Sequence, residues 1–249
     1  MAKSKATNVK VTTNPPKSTA LAPMGRKPLL RPTTQAGCNY LQFLNTKAEK
    51  RGEICDQLKM KSSQVPNDAP IVHTGTGPIL CDPFRYVVTS QFFQHFSETD
   101  NKYQILNSVM DVDESPGGDF KEYVEVILIV FPPKGQPVPV HAGLKTTKTG
   151  LFHKVDEFIR EHAAEADGNG VYAGFLAEVS EFEEKTTRAN ARGEKFDYTI
   201  PVIEIDKIGA KEATQLAAAF KDAGFLQQLN DCVESMKARY SLVESKQVS

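Results

Sequence analysis

The feature that most constrains this fold is an unbroken apolar run near the middle of the chain. Val126 to Phe131 are six apolar residues in a row, most of them β-branched or aromatic, and Pro132-Pro133 ends the run. Such a run is typical of a strand that is buried on both faces of a sheet. We therefore expect this strand to lie at the centre of the fold.

The residues after the central run predict a second strand and then a helix. Val138 to Leu144 is extended in character, although Pro139 interrupts it. The basic segment Lys145 to Thr149 follows, and a helix is predicted to begin near Gly150. The apolar face of that helix carries Leu151, Phe152, Val155, Phe158 and Ile159.

An aromatic segment, Ile79 to Phe96, predicts a second strong β region. Because alternate residues of a strand point to opposite faces, one face would carry Tyr86, Val88, Phe92 and Phe96. The other face would carry Val87, Phe93 and His95. One interpretation is that both faces pack inside a sandwich or barrel. The other is that the aromatic side chains stack on the bases of a single-stranded nucleic acid.

A long hairpin is predicted from residues 171–182 and 196–205, where Pro201 favours an edge strand or a bulge. The connection between the arms is too polar to enter a core, so we expect an exposed loop. Its basic residues are Lys185, Arg188, Arg192 and Lys195. Two helices are predicted after the hairpin, Lys211 to Ala223 and Phe225 to Val243, with Gly224 ending the first.

Charge is distributed unevenly along the chain. Residues 1–31 contain seven Lys or Arg and no acid, and we expect this arm to be disordered because it has little apolar content. The whole chain has 30 basic and 31 acidic residues, so the remaining 23 basic and 31 acidic residues give about −8. A basic arm on an acidic body suggests a polyanion partner or an electrostatic tether, and a solubilising tail is the alternative.

The usual catalytic, metal and nucleotide motifs do not occur. Lys145 to Gly150 (KTTKTG) lacks the spacing of a phosphate loop, and there is no Gly-x-Ser-x-Gly or His-Glu-x-x-His. The stripe of His153, Glu157 and Glu161 on one helical face fits a solvated surface better than a metal site. No Cys-x-x-Cys occurs among the four cysteines, which favours reduced thiols over a zinc site or redox pair. We therefore expect no cofactor, no metal and no enzymatic activity.

In order and character, these segments resemble a group of phage and plasmid proteins that bind single-stranded DNA with an OB-type barrel. The matching segments within residues 32–240 are YLQFL at 40–44, FRYVVTSQFF at 84–93, the central strand ending in Pro, the Lys/Thr segment entering a helix, the basic-tipped hairpin and AAAFKDAGFLQQL at 217–229. The acidic C-terminal tail of that family is absent from the Ser-Lys-Gln-Val-Ser end. That departure weakens the expectation that such a tail recruits replication proteins.

The resemblance implies an α+β fold, mainly antiparallel β in an OB-like barrel, with a central helix and C-terminal helices. We expect three parts: a disordered basic tail (1–31), a β-rich OB-like domain (32–208) and a helical segment (209–249). The predicted nucleic-acid-binding residues are Tyr86, Phe92, Phe93, Phe96, Lys145, Lys148, Lys185, Arg188, Arg192 and Lys195.

Two functional hypotheses follow for such a protein, and an enzyme whose site is assembled from distant residues stays open as a third class. The first is a cytoplasmic, phage- or mobile-element-encoded protein of replication or recombination whose partner is single-stranded nucleic acid, without membrane association. The second is a structural or adaptor protein, for example a virion component, that docks on itself or on replication proteins through its C-terminal helices.

Overall fold

The computed structural model describes residues 38–97, 103–105, 121–162, 174–186 and 197–244. The predictions for the basic arm (1–31) and for Arg188, Arg192 and Lys195 lie outside the described residues.

Nine strands within these residues form one sheet, which is mainly antiparallel. They are β1 (Tyr40–Leu44), β2 (Ala69–Thr74), β3 (Gly77–Leu80), β4 (Phe84–Ser97), β5 (Tyr103–Ile105), β6 (Lys121–Phe131), β7 (Val138–Lys145), β8 (Phe175–Thr186) and β9 (Asp197–Lys207). Their order is β3-β2-β1-β7-β6-β4-β8-β9, and β5 pairs with β4. Neighbouring strands run antiparallel except β1 and β7, which are parallel.

Four α-helices accompany the sheet in the described part of the chain. They are α1 (Arg51–Gln57), α2 (Gly150–His162), α3 (Ala210–Ala219) and α4 (Ala223–Glu244). The prediction of an α+β, mainly antiparallel fold with a central helix and C-terminal helices is confirmed at this level. The sheet is a curled half-barrel.

The central position of the apolar run is confirmed. It forms the end of β6, which pairs with β7 on one side and with β4 on the other. Val126, Ile127 and Leu128 are all completely buried, as expected for a strand covered on both faces. The predicted long hairpin is β8–β9, and Pro201 lies on β9, the strand at the edge of the sheet.

The concave face of the sheet holds the largest apolar cluster, with α2 inside the curl. Even-numbered residues of β6 and β7, such as Val126 and Ala142, face α2, which contributes Leu151 and Phe152. The curl itself is visible in the contact between the rings of Phe43 on β1 and Phe182 on β8, whose centroids are 5.6 Å apart. These two strands are separated by three others in the sheet order, so their side chains meet only across the inside of a curve.

The other three helices cover two parts of the convex face. Helix α1 packs on β1 and β2 through Ile54 and Cys55, in a cluster with Leu44 and Ile71. Helices α3 and α4 pack on the other end of this face, against apolar side chains of β4 and β6. Their buried residues include Leu216, Ala219, Phe225, Cys232 and Met236.

Two predicted boundaries differ from the structure. The aromatic β region from residue 79 is divided between β3 and β4, which are separated at 81–83. Gly224 lies in the first turn of α4 instead of ending α3. The physical reason is capping: the carboxylate of Asp222 accepts a hydrogen bond of 2.7 Å from the backbone N–H of Phe225, which begins the new helix before the glycine can act as a C-cap.

Candidate nucleic-acid interface

Tyr86, one of the predicted base-stacking residues, lies in the core. Its side chain is 0% exposed, its ring stacks on that of Phe84 at 4.8 Å, and its hydroxyl donates a 2.8 Å hydrogen bond to the carbonyl of Leu151. Burial raises the pKa of this hydroxyl far above its usual value. The side chain anchors α2 inside the sheet, so its position does not fit the predicted contact with a base.

Phe92 and Phe93 point to opposite faces of β4, as the alternation predicts, and both are half-buried. The ring of Phe92 lies 4.4 Å from that of Phe152 on the concave side. Phe93 packs on the convex side in the cluster that includes Val233 of α4. In this part of β4, the interpretation that both faces pack therefore describes the structure better than a stacking platform does. For Phe96 the structure describes the strand but not the side chain.

Lys148 is an internal cation of this fold. Its Nζ lies 3.0 Å from an Asp68 carboxylate oxygen and 2.5 Å from the Thr199 hydroxyl, and it sits 4.5 Å above the Phe182 ring. Desolvation lowers the pKa of this ammonium, and the charge of Asp68 partly opposes that shift. Because Asp68 precedes β2 and Thr199 lies on β9, Lys148 joins two distant parts of the curled sheet. That role leaves it poorly placed to bind phosphate.

The other two described lysines of the prediction lie at the surface. Lys145 ends β7, where it is exposed and directly opposite Tyr123 of β6. Lys185, near the tip of the β8–β9 hairpin, forms an ion pair with Glu183. The described part of that tip also carries Glu181 and Glu184, so its basic character depends on the residues beyond 186.

A surface that the sequence analysis missed runs across the convex face. Its members are half-buried Tyr40, Gln42, His73 and Tyr123, with exposed Gly143 and Lys145. We call these six residues the convex strip. They lie between the part of the sheet that α1 covers, around Leu44, and the part that α4 covers, around Ile127.

The strip combines aromatic rings with polar groups. Tyr40 and His73 face each other across β1 and β2, with ring centroids 4.5 Å apart and an interplanar angle of 8°. The Nε2 of His73 lies 2.9 Å from the Oε1 of Gln42. Tyr123 stands opposite Lys145, two residue pairs along the strands from the pair of Glu125 and Gly143. Flat rings beside a cation and an amide provide the chemistry that stacks and hydrogen-bonds unpaired bases.

A polar cluster closes the concave side near the start of α2. His153, from the stripe considered for metal binding, has its Nε2 2.5 Å from Glu122, and the amide of Gln94 donates a 2.6 Å hydrogen bond to the same carboxylate oxygen. His153 is thus engaged with the sheet. Within the described residues there is no group of three His, Cys, Asp or Glu side chains that could hold a metal ion.

Comparisons with protein-family models, with characterised proteins and with solved structures find no match to this chain. Among the described helices, none is long and apolar enough to cross a membrane.

Proposed function

We propose that this protein binds single-stranded DNA, with the convex strip as the base-contacting surface and the basic tip of the β8–β9 hairpin as the phosphate-contacting element. The biological setting we propose is replication or recombination of a phage or mobile element, as the resemblance implies.

The observation that carries the proposal is the order of the strands around α2. In chain order, β4, β6 and β7 precede this helix, and β8 and β9 follow it. Strand β4 pairs with both β6 and β8, and β9 pairs with β8. We take this order as support for an OB-type arrangement, in which β1 would occupy the outer edge of β7, where the fifth strand of a closed barrel would pair. In OB folds, the face of the second and third strands binds oligonucleotides, together with the loop between the fourth and fifth strands.

Those positions correspond to polar and basic groups in this chain. On the proposed OB-type assignment, the second and third strands are β6 and β7, which carry Tyr123, Gly143 and Lys145 of the convex strip. The fourth and fifth strands are β8 and β9, and the sequence between them contains Arg188, Arg192 and Lys195. A charge-segregated surface of this kind can bind a polyanion although the chain as a whole is slightly acidic.

The test is fluorescence anisotropy of a labelled oligothymidine at several salt concentrations. Phosphate contacts release counterions, so neutralising Arg188 and Arg192 together should flatten the log–log salt dependence by roughly 1–2 units. Tyr123→Ala should weaken binding by about 1–3 kcal/mol with little change in that slope, because stacking releases no counterions. Lys145→Gln should reduce the slope, whereas the matched control Lys221→Gln, at the turn between α3 and α4, should not.

Two outcomes would contradict the proposal in different ways. Equal affinity for single- and double-stranded DNA at low salt would remove the function itself. Single-strand binding that is insensitive to Tyr123→Ala and Lys145→Gln would keep the function and remove the convex strip as its site.

One observation favours a second candidate function. In this function, the C-terminal helices dock on another protein or on a second copy of this chain. Phe220 and Leu226 are large apolar residues at the junction of α3 and α4, and they are 42% and 44% exposed. Light scattering of the parent and of a Phe220→Ser, Leu226→Ser variant tests self-association. A parent protein that is monomeric at high concentration would remove the second-copy form of this candidate.

A further inference from the structure

Two cysteines that are far apart in sequence meet beneath α4. Cys38 immediately precedes Asn39 and β1, and Cys232 lies 194 residues later in the middle of α4. Their sulfur atoms are 3.4 Å apart, and both residues are buried. A disulfide bond is about 2.05 Å long, so the two sulfurs need to approach by only about 1.4 Å to form one.

The surroundings of the two thiols differ, so that Cys38 is the better nucleophile and Cys232 stays protonated. The hydrogen bond between the two thiols lowers the pKa of Cys38; burial opposes this shift, and nearby His141 adds to it. The pKa of Cys232 is raised by the same interaction and by burial. The Nε2 of His141 lies 2.5 Å from Glu125, which holds the imidazole in place beneath α4. A thiolate beside a thiol is the arrangement from which a disulfide forms.

The other two cysteines lack this arrangement and serve as internal controls. Cys81 is buried among the apolar side chains of the concave cluster, and burial raises its pKa to about 12. Cys55 lies under α1 in a separate apolar cluster. All four cysteines are free thiols in this structure.

We propose that Cys38 and Cys232 form an intramolecular redox site that a small hydroperoxide converts into a disulfide. The thiolate of Cys38 attacks one oxygen of hydrogen peroxide, the O–O bond breaks, and the leaving hydroxide takes a proton to become water. The Cys232 sulfur then attacks the sulfenic acid on Cys38, the S–O bond breaks, and the departing hydroxide leaves as water with the Cys232 proton. Two thiols are oxidised by two electrons, and one peroxide is reduced to two waters.

A hydroperoxide is the appropriate class of oxidant because both sulfurs are covered. Cys232 is 0% exposed and Cys38 is 1% exposed, which excludes a bulky disulfide reagent from direct attack on the folded protein. The new bond would join the start of β1 to α4. It would add a covalent link beside Asn39, which donates one hydrogen bond to Gln228 of α4 (3.1 Å) and another to the carbonyl of Pro139 on β7 (3.0 Å).

The experiment treats the reduced full-length protein with hydrogen peroxide under native conditions and maps peptides by mass spectrometry without reduction. We expect a cross-linked pair of peptides containing Cys38 and Cys232, with the loss of two hydrogens. Closing so long a loop should raise the midpoint of thermal unfolding by about 5–15 °C, and dithiothreitol should reverse the rise. Deuterium uptake by α4 should also fall on oxidation.

Matched variants identify the pair. Cys38→Ala and Cys232→Ala should each abolish the cross-link and the thermal shift, whereas Cys55→Ala and Cys81→Ala should retain both. The peptide map of the parent protein gives the answer by itself if a variant fails to fold. The proposal is overturned if the folded parent keeps Cys38 and Cys232 as thiols, if Cys38 is oxidised to sulfinic acid without a cross-link, or if the bond joins other cysteines or two chains.

Discussion

Helices pack on both the concave and the convex face of the sheet, but the chemistry beneath those helices differs. On the concave face, α2 packs through Leu151, Phe152, Val155 and Ile159 onto a cluster that is almost entirely apolar. On the convex face, α4 covers a patch in which Asn39, Glu125 and His141 are buried beside Cys38 and Cys232. The burial of apolar side chains stabilises the fold through a non-directional interaction, whereas buried polar groups need hydrogen-bond partners in particular positions. We infer that the convex patch fixes where α4 lies more than it adds stability.

The largest effect should come from a charge placed in the concave core. Val126→Asp puts an unpaired carboxylate on a residue that is 0% exposed, at a cost of several kcal/mol, so we expect loss of cooperative unfolding or aggregation. Lys185→Glu changes an exposed residue whose ion pair with Glu183 is at the surface, so its effect should be within about 1 kcal/mol. Urea unfolding of both variants is the measurement. Equal unfolding midpoints would contradict the central position of β6.

The next largest effect should come from the buried pair of Glu125 and His141 on the convex side. Glu125→Leu leaves the buried His141 imidazole without its hydrogen-bond partner, and His141→Leu does the same to the Glu125 carboxylate. Each variant should therefore lower the free energy of unfolding by about 2–4 kcal/mol. The double variant replaces the pair by two apolar side chains, so it should lose clearly less than the sum of the single losses. Strict additivity to within about 0.5 kcal/mol would show that the two groups are not coupled.

The parts of the fold that depend on local pattern could be predicted from the sequence. The apolar run of β6, the amphipathic face of α2 and the alternation of the β8–β9 hairpin each identify an element within a short window, because side-chain periodicity reflects which face is buried. The face on which Phe92 and Phe93 each lie was predicted for the same reason. Whether those faces are open to solvent depends on α2 and α4, which come from later segments of the chain.

The candidate site could not be predicted, because it is assembled from remote residues. Tyr40 and His73 meet only through the pairing of β1 with β2, and Tyr123 joins the same surface through β7. The absence of a Cys-x-x-Cys pattern argued against a redox pair, yet the fold brings together two cysteines 194 residues apart. Lys148 shows the reverse case: a lysine in a basic segment is turned inward by Asp68, which lies 80 residues earlier.

The smallest effect concerns the polar rim of the otherwise apolar concave face, and it depends on pH. Burial alone would raise the pKa of Glu122, but the hydrogen bond and charge of His153, with hydrogen bonds from Gln94 and Thr149, hold that pKa below its ordinary value. A carboxylate with a depressed pKa stabilises the folded state above the pKa of the unfolded chain, about 4.3. That stabilisation is lost as the pH falls through the lower folded value. The Glu122 side chain is 25% exposed, which limits the contribution to about 1 kcal/mol or less.

Glu122→Gln should therefore reduce the free energy of unfolding slightly at pH 7, and the difference from the parent should disappear in strong acid. Urea unfolding across the acid range measures this difference, and Glu184→Gln, at an exposed position on β8, is the matched control. A difference between Glu122→Gln and the parent that stays constant down to the lowest pH would mean that the amide disturbs packing near His153. In that case the Glu122–His153 contact would add packing but no electrostatic stabilisation to the concave face. The two faces would then differ more than this contact suggests, because buried polar interactions would matter on the convex face alone.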